Sequence, residues 1–420
     1  MEVVLVASPH DEGNMKKKVI KRSPGYYGDL RIDSSIPVLI LGGKENSLSL
    51  TRSLGQVGIK VIVSGPESLG MYSRFCSERY PVSGTYTSAE FWGKLLLGKS
   101  PIIKKQHVLL ACDDDALEFL AENESKLRER FIFDPGKAQQ RLALLNKKLT
   151  LELAMKVGIA APKFWPVSQT GKSDDNFEDC QFPILIKPYN TFKFAKVFGQ
   201  KFFTVESGIN ELMQKIRITH DKGFDVSVME KIPGPDDLLS SYYTYIDKNG
   251  NALFHFTKKI FRRYPVNMGM ATYHATEWLP ETAEQGLSFF KKTGFRGLGN
   301  IEFKKDPRDG KLKIMEVNAR FTAAQELAVK ANVPIDLIVY CDLTEQAIPT
   351  TTSYLSDLRY WYPVRDFQSF LQLRRMGQMG FSEWLTSIHF KQNVDPVFDY
   401  ADLEPSIRAI AALVRKLVRR

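Results

Sequence analysis

Hydrophobic positions in this chain come first as short unbroken runs and later as alternations. Pro37-Val38-Leu39-Ile40-Leu41 is a run without polar breaks, the pattern of a strand buried on both faces. A Gly42-Gly43 turn follows, then a helical stretch from Ser47 to Val57 closed by Gly58, then a second run, Lys60–Ser64. This βαβ opening predicts a parallel sheet. His107–Ala111 adds a further strand, ending in Cys112-Asp113-Asp114-Asp115; acids there face a ligand crevice or cap the next helix. From Asn146 the pattern NKKLTLELAMKVGIAAP predicts an amphipathic helix stopped by Gly158 and Pro162. Phe182–Pro188 is a buried strand with Lys187 near its end, and Val226–Gly234 is another, with Asp236 and Asp237 beyond it. Tyr242–Asp247 and Ala252–Phe261 read as hairpin strands, followed by a basic patch of Lys258, Lys259, Arg262 and Arg263. A helix near Glu281–Lys292 leads into the most informative stretch.

That stretch is Leu298–Arg320, LGNIEFKKDPRDGKLKIMEVNAR. Asp306, Pro307, Asp309 and Gly310 predict a tight turn between two strands. Side chains alternate along a strand, so Glu316, Asn318 and Arg320 share one face. A hairpin symmetric about Asp309 sets Glu302 directly opposite Glu316, and two opposed carboxylates repel unless a cation lies between them. Two carboxylates and an amide suit Mg²⁺, which completes its shell with phosphate oxygens. The competing reading is a solvated surface hairpin with Ile301, Phe303, Met315 and Val317 turned to the core.

Composition narrows the setting. The 420 residues exceed one ordinary core, so two to four domains are expected, and 43% hydrophobic with 25% charged residues describe a globular protein. The formal net charge of +10 favours anionic partners without choosing among them. Four scattered cysteines with no CxxC argue against a zinc site and a secreted disulfide framework. An early Glu2 without a basic start is unlike a signal peptide, and no run is apolar enough to cross a bilayer, so the expected compartment is the cytoplasm. Met1–Gly13 is similar to the start of zinc-dependent de-N-acetylases, but only Ser8-Pro9-His10-Asp11-Glu12 remains of that pattern. A loose basic arm over residues 1–36 is the expectation instead. The Gly42-Gly43 turn lacks the third glycine of GxGxxG, so a Rossmann-like sheet without a dinucleotide is expected.

A lysine at 147, a strand-end lysine at 187, the hinge Met229-Glu230-Lys231-Ile232-Pro233-Gly234, then Glu302 and Glu316-Val317-Asn318-Ala319-Arg320 form an ordered series. This series resembles the ATP-grasp superfamily over roughly residues 37–345, and within it the carboxylate–amine ligases that include the D-aspartate ligases. The resemblance implies an α/β (α+β) protein with a Rossmann-like pre-ATP-grasp domain over 37–135, an ATP-grasp domain over 136–345 and an aromatic, basic extension over 346–420. It implies that Lys147 and Lys187 meet the nucleotide phosphates and that Glu230, Lys231 and Ile232 form the adenine hinge. Asp236 or Asp237 would accept the ribose hydroxyls. Glu302, Glu316 and Asn318 would hold two Mg²⁺ ions, with Mn²⁺ able to replace them, and Arg320 would face the transferred phosphoryl group. D-alanine ligases carry an arginine two residues before the first metal carboxylate; Asn300 stands there in this chain, and its role falls to Lys259, Arg262 or Arg263. The loop 189–200, with Lys193 and Lys196 in place of glycines, would close over the triphosphate.

The implied activity is ATP-dependent amide formation between a carboxylate and an amine, with small-molecule substrates and no nucleic acid, an amino acid as one substrate and a homodimer as the usual assembly. The rivals are a non-catalytic nucleotide-binding protein, a carboxylate kinase or carboxylase, and an NAD(P) oxidoreductase built on the first sheet. Residues 406–420, SIRAIAALVRKLVRR, predict a basic amphipathic helix. Such a helix either touches an anionic membrane or packs its stripe on its own protein, and the second is the expectation here.

Overall fold

The computed structural model describes residues 20–66, 68–99, 101–103, 106–167, 177, 179–188, 194, 197–200, 202–351, 353–388 and 393–418. The chain divides into two compact units. The first comprises residues 1–145, 236–301 and 317–420, and the second residues 146–235 and 302–316.

The first unit opens with the expected parallel sheet. Its order is Cys76–Pro81, Val61–Gly65, Val38–Leu41 and Val108–Ala111, with every pairing parallel. Val38–Leu41 is buried throughout, as a central strand covered on both faces must be. The helix Glu45–Gln56 makes the crossover, and Gly58 at φ +85° ends it in the left-handed conformation that glycine tolerates.

Residues 20–36 correct the expectation of a loose arm. Arg22–Ser23, Tyr26–Tyr27 and Leu30–Arg31 form a small three-stranded sheet. The Arg22 guanidinium grips Asp336 with two bonds of 2.7 and 3.0 Å, and Tyr340 Oη donates to the Ile36 carbonyl at 2.8 Å. A buried bidentate pair fixes this segment where composition alone suggested disorder. The Ser8–Glu12 segment lies outside the described residues.

A large sheet follows, in the order Leu312–Asn318, Gly297–Lys305, Leu239–Ile246, Phe256–Tyr264, Met270–Thr276, Arg359–Trp361 and Asn393–Val394. Its two faces are chemically distinct. Tyr243, Tyr245, Phe256 and Tyr360 enter one core with Val38, Ile40 and Leu54, and with Leu327 and Ile338 from the helices at 325–330 and 335–343. Tyr242 lies on the other face: its ring approaches Phe290 of the helix Pro280–Lys292, and the neighbouring Ser240 hydroxyl meets Thr282 at 2.8 Å.

The second unit has a four-stranded antiparallel sheet in the order Phe203–Val205, Ile184–Pro188, Val226–Glu230 and Phe164–Pro166. Ile184, Ile186, Val226 and Val228 pack with Leu212 and Ile216 of the helix Ile209–Asp221. The helix Lys147–Lys156 starts where expected, with the Asn146 side chain accepting the Leu149 N–H. No described helix is long and apolar enough to cross a membrane.

Candidate active site

The hairpin at the centre of the sequence argument is present, with a different turn. Asp306 N–H donates to the Lys311 carbonyl at 2.9 Å, Gly310 N–H donates to the Asp306 carbonyl at 2.8 Å, and Gly310 has φ +70°. Counting back from the Asp306–Lys311 pair, an unbroken register sets Met315, not Glu316, across from Glu302. The second strand, however, slips in its alternation. Met315 and Glu316 are both half-buried between buried Ile314 and Val317. Glu302, Glu316 and Asn318 are all half-buried.

The turn is held by charge. Asp306 is fully buried and accepts from Arg308 Nε at 2.8 Å and pairs with Lys313 Nζ at 2.6 Å. Arg308 holds the Asp306 carboxyl well below the usual carboxylate range. Arg308 Nη2 also donates to Glu230 Oε1 at 2.5 Å, and Lys163 N–H donates to Glu230 Oε2 at 3.0 Å. Glu230 was expected to hold the adenine amino group. Its carboxylate is the point where the hinge strand, the hairpin tip and residue 163 meet. Lys304 Nζ donates to the Gly234 carbonyl at 2.6 Å and to that of Ile232 at 3.3 Å, so the hinge backbone is anchored to the hairpin as well. Lys231 lies within 3.9 Å of Glu206.

On the hinge sheet Lys187 pairs across from Ser227. Because Ile184, Ile186, Val226 and Val228 fill the helix-covered side, Leu185, Lys187, Ser227 and Met229 occupy the opposite face. Lys147 sits, exposed, in the first turn of its helix. Of the loop 189–200, Lys193 and Lys196 lie outside the described residues.

In the first unit Arg320 stands on a loop fastened to the carboxyl end of the parallel sheet. Phe321 N–H donates to the Ala111 carbonyl at 3.2 Å, and Asn46 Nδ2 bridges the carbonyls of Cys112 at 2.6 Å and Phe321 at 2.9 Å. Arg320 Nε donates to Asp114 Oδ1 at 2.6 Å. The three acids after the strand thus divide. Asp114 orients Arg320, while Asp113 caps the helix through Ala116 N–H and accepts the Gly43 N–H at 2.9 Å. A Cβ at Gly42 would lie 2.0 Å from Asp113 Oδ2, so this carboxylate fills the glycine turn in which a dinucleotide would need its phosphates.

The placements of Lys259 and Asp236 bear on their expected roles. Lys259 was expected to stand in for the arginine missing at Asn300. Lys259 pairs with Ser240, on the helix-covered face, whereas Lys258 pairs with Ser241, on the face of Tyr243. Tyr243 Oη donates to the Arg320 carbonyl, so Lys258 is the lysine on the Arg320 side. Arg262 and Arg263 are taken up by carboxylates: Arg262 grips Asp366 at 2.7 and 2.9 Å, and Arg263 grips Asp236 at 2.7 Å. That second pair also bears on Asp236, which is buried, paired and accepts the Asn267 N–H, whereas Asp237 is exposed. Asn300 donates to the Tyr242 carbonyl at 3.4 Å from a buried position.

Tyr243 and Asn46 escaped the sequence reading, which named Lys258 and Asp114 without singling them out. Only the adjacent lysines and the triple acid were visible, and neither says which member faces the site. Among the described residues no three His, Cys, Asp or Glu side chains are grouped to hold a metal. The expected set of two glutamates and an asparagine is of a different composition.

No family model matches the chain. A D-aspartate ligase of Enterococcus faecium (strain Aus0004) is 23% identical over 227 residues, 51% of this chain and 53% of that enzyme, so the match spans about half the length of each. Among solved structures, N5-carboxyaminoimidazole synthetase from Staphylococcus aureus, complexed with ADP, superposes with a TM-score of 0.58 at 15% identity, covering 78% of this chain and 82% of that one. An L-amino acid ligase from Bacillus licheniformis superposes at 0.55 and 14% identity, over 76% of both chains.

Proposed function

We propose that this chain, which has the ATP-grasp fold, is an ATP- and Mg²⁺-dependent ligase that joins a carboxylate to an amine, with an amino acid as one substrate. The observation that carries the reading is the seating of Arg320. Its loop is tied to the carboxyl end of a parallel sheet, where open α/β sheets bind ligands, and Asp114 orients its guanidinium. The Glu302, Glu316 and Asn318 set supports it, since two carboxylates and an amide are the hard oxygen ligands that Mg²⁺ takes. These three would hold two Mg²⁺ ions, or Mn²⁺ in their place; a bound ion neutralises charge on phosphate oxygens.

A carboxylate is a poor electrophile. Its oxygen attacks the γ-phosphorus of ATP, the bond to the β–γ bridging oxygen breaks, and an acyl phosphate and ADP result. The amine nitrogen then attacks the acyl carbon, releasing phosphate and a proton and leaving an amide. In this scheme Lys147 and Lys187 hold the phosphates, the backbone at Lys231 and Ile232 meets the adenine, and Asp237 accepts the ribose hydroxyls. Arg320 faces the transferred phosphoryl group, where a planar guanidinium can hold two oxygens at once. Lys258 takes the place first given to Lys259, as the cation facing the developing charge on the acyl phosphate. Glu230 acts at one remove, by fixing the hinge to the hairpin.

The substrates are small molecules, and the four unpaired cysteines agree with a reducing, cytoplasmic setting. The nicotinamide alternative is disfavoured by Asp113, whose carboxylate occupies the glycine turn. The test is ADP release on addition of carboxylate and amine together. Release that needs both supports ligation, release with the carboxylate alone marks a carboxylate kinase, and ATP binding without turnover marks a nucleotide-binding protein.

A further inference from the structure

The helix Glu404–Val418 packs on the protein only in part: Pro405 is buried and Ala409 and Leu413 are half-buried, while a second apolar row stays uncovered. Ile407, Ile410 and Val414 are 62%, 62% and 51% exposed, while Asp402, Pro405 and Ser406 form the buried edge. Just before the helix Phe398, Tyr400 and Leu403 extend the same exposed apolar surface, with Tyr400 86% exposed and set edge-on to Phe398. Beside it runs a groove of about 350 Å³ that Leu403 also lines, where Arg74 and Arg79 stand with the acids Glu78, Asp402 and Glu404. Leu403 belongs to both groove and stripe. The helix carries Arg408 and Arg415 and, in sequence, Lys416, Arg419 and Arg420 near its end, against the single acid Glu404.

We infer that this surface docks on an anionic phospholipid membrane, lying in the interface with the Ile407–Val414 stripe in the acyl boundary and the basic residues of the helix at the headgroup level. An exposed apolar stripe flanked by basic residues is the chemistry of an interfacial helix. Tyr and Phe at one end suit the headgroup level, where amphipathic rings settle. A second copy of the chain is the other candidate occupant. Pairing two such helices would set their arginines and lysines side by side with Glu404 as the one acid on each to meet them, which like-charge repulsion opposes. Charge therefore selects the lipid surface.

The test is flotation of the purified full chain with phosphatidylcholine vesicles, with and without phosphatidylglycerol. The protein is expected to float only with the anionic vesicles and to be released by high salt. Arg415→Gln should weaken binding about fivefold, as one basic residue near such a surface is worth about 1 kcal/mol. Ile407→Ser with Ile410→Ser should abolish it while the melting temperature and ATP turnover stay at wild-type values, since both side chains are exposed. Equal partitioning to neutral vesicles or none to anionic ones overturns the inference. So does self-association in light scattering that the same double variant removes, which would assign the stripe to a second copy.

Discussion

Tyr243 Oη donates to the Arg320 carbonyl at 3.2 Å and accepts the Thr322 N–H at 3.1 Å, so one buried hydroxyl sets the loop that presents Arg320. Tyr243→Phe keeps the ring in its core and removes both bonds. The expected result is a stability loss of about 1 kcal/mol, typical of hydrogen bonds of this kind. Turnover should fall about tenfold with little change in the KM for ATP. A wild-type kcat would show that the loop is held without the hydroxyl.

The two adjacent lysines provide a sharper comparison. Lys258 and Lys259 differ in face and not in chemistry. Lys258→Met should lower ligation about a hundredfold, the size expected for removing one preorganised charge, and Lys259→Met should leave it near wild type. Steady-state kinetics of the pair decide it, and the reverse ranking would return the role to Lys259.

That comparison also marks where the sequence stopped being informative. The parallel sheet was legible because Val38–Leu41 and Val61–Gly65 are apolar at every position. The Met270–Thr276 strand was missed, since MATYHAT alternates weakly and its polar His274 and Thr276 are buried by the tertiary fold. Ile209–Asp221 could have been found, because Ile209, Leu212, Met213 and Ile216 recur at helical spacing. Which of two lysines in a strand faces a site depends on what covers each side of the sheet, and alternation does not carry that information. For the same reason SIRAIAALVRKLVRR showed a stripe without showing that one row of it stays exposed. Asp236 and Asp237 were inseparable until Arg263 was seen to take the first.

The hairpin tip depends on one buried carboxylate. Asp306→Asn leaves Arg308 and Lys313 with Glu230 but without the fully buried carboxylate they share, and removing one partner of a buried ion pair is costly. A loss of about 2–3 kcal/mol in urea unfolding is expected, below the fully buried limit because Arg308 is partly exposed. Because the folded-state pKa of Asp306 is depressed, its contribution is present above the unfolded value of 3.8 and is lost as pH falls below it. The variant should therefore lose less stability than wild type on acidification in that range.

His274 is 1% exposed, stacked on Tyr360 at 4.4 Å, and burial, with Lys258 nearby, pushes its pKa well below 6.5. His255 is lowered too, by burial and Lys291. A histidine that resists protonation when folded binds its proton more readily when unfolded. Its stability contribution is therefore complete above 6.5 and declines by at most about 1.4 kcal/mol per pH unit below it. His274→Phe should flatten the fall in stability between pH 6.5 and 5. An unchanged slope, measured by urea unfolding across that range, would show that the imidazole titrates normally.

The central claim is ATP-driven amide formation on the Glu302, Glu316, Asn318 and Arg320 set. It is met most directly by ADP release from the full chain, screened over pairs of carboxylates and amines with Mg²⁺, for wild type and Glu316→Ala. The account predicts release matched one to one by amide, dependent on both substrates and on Mg²⁺, and abolished in a Glu316→Ala protein that remains folded. Wild-type release from that variant would contradict it.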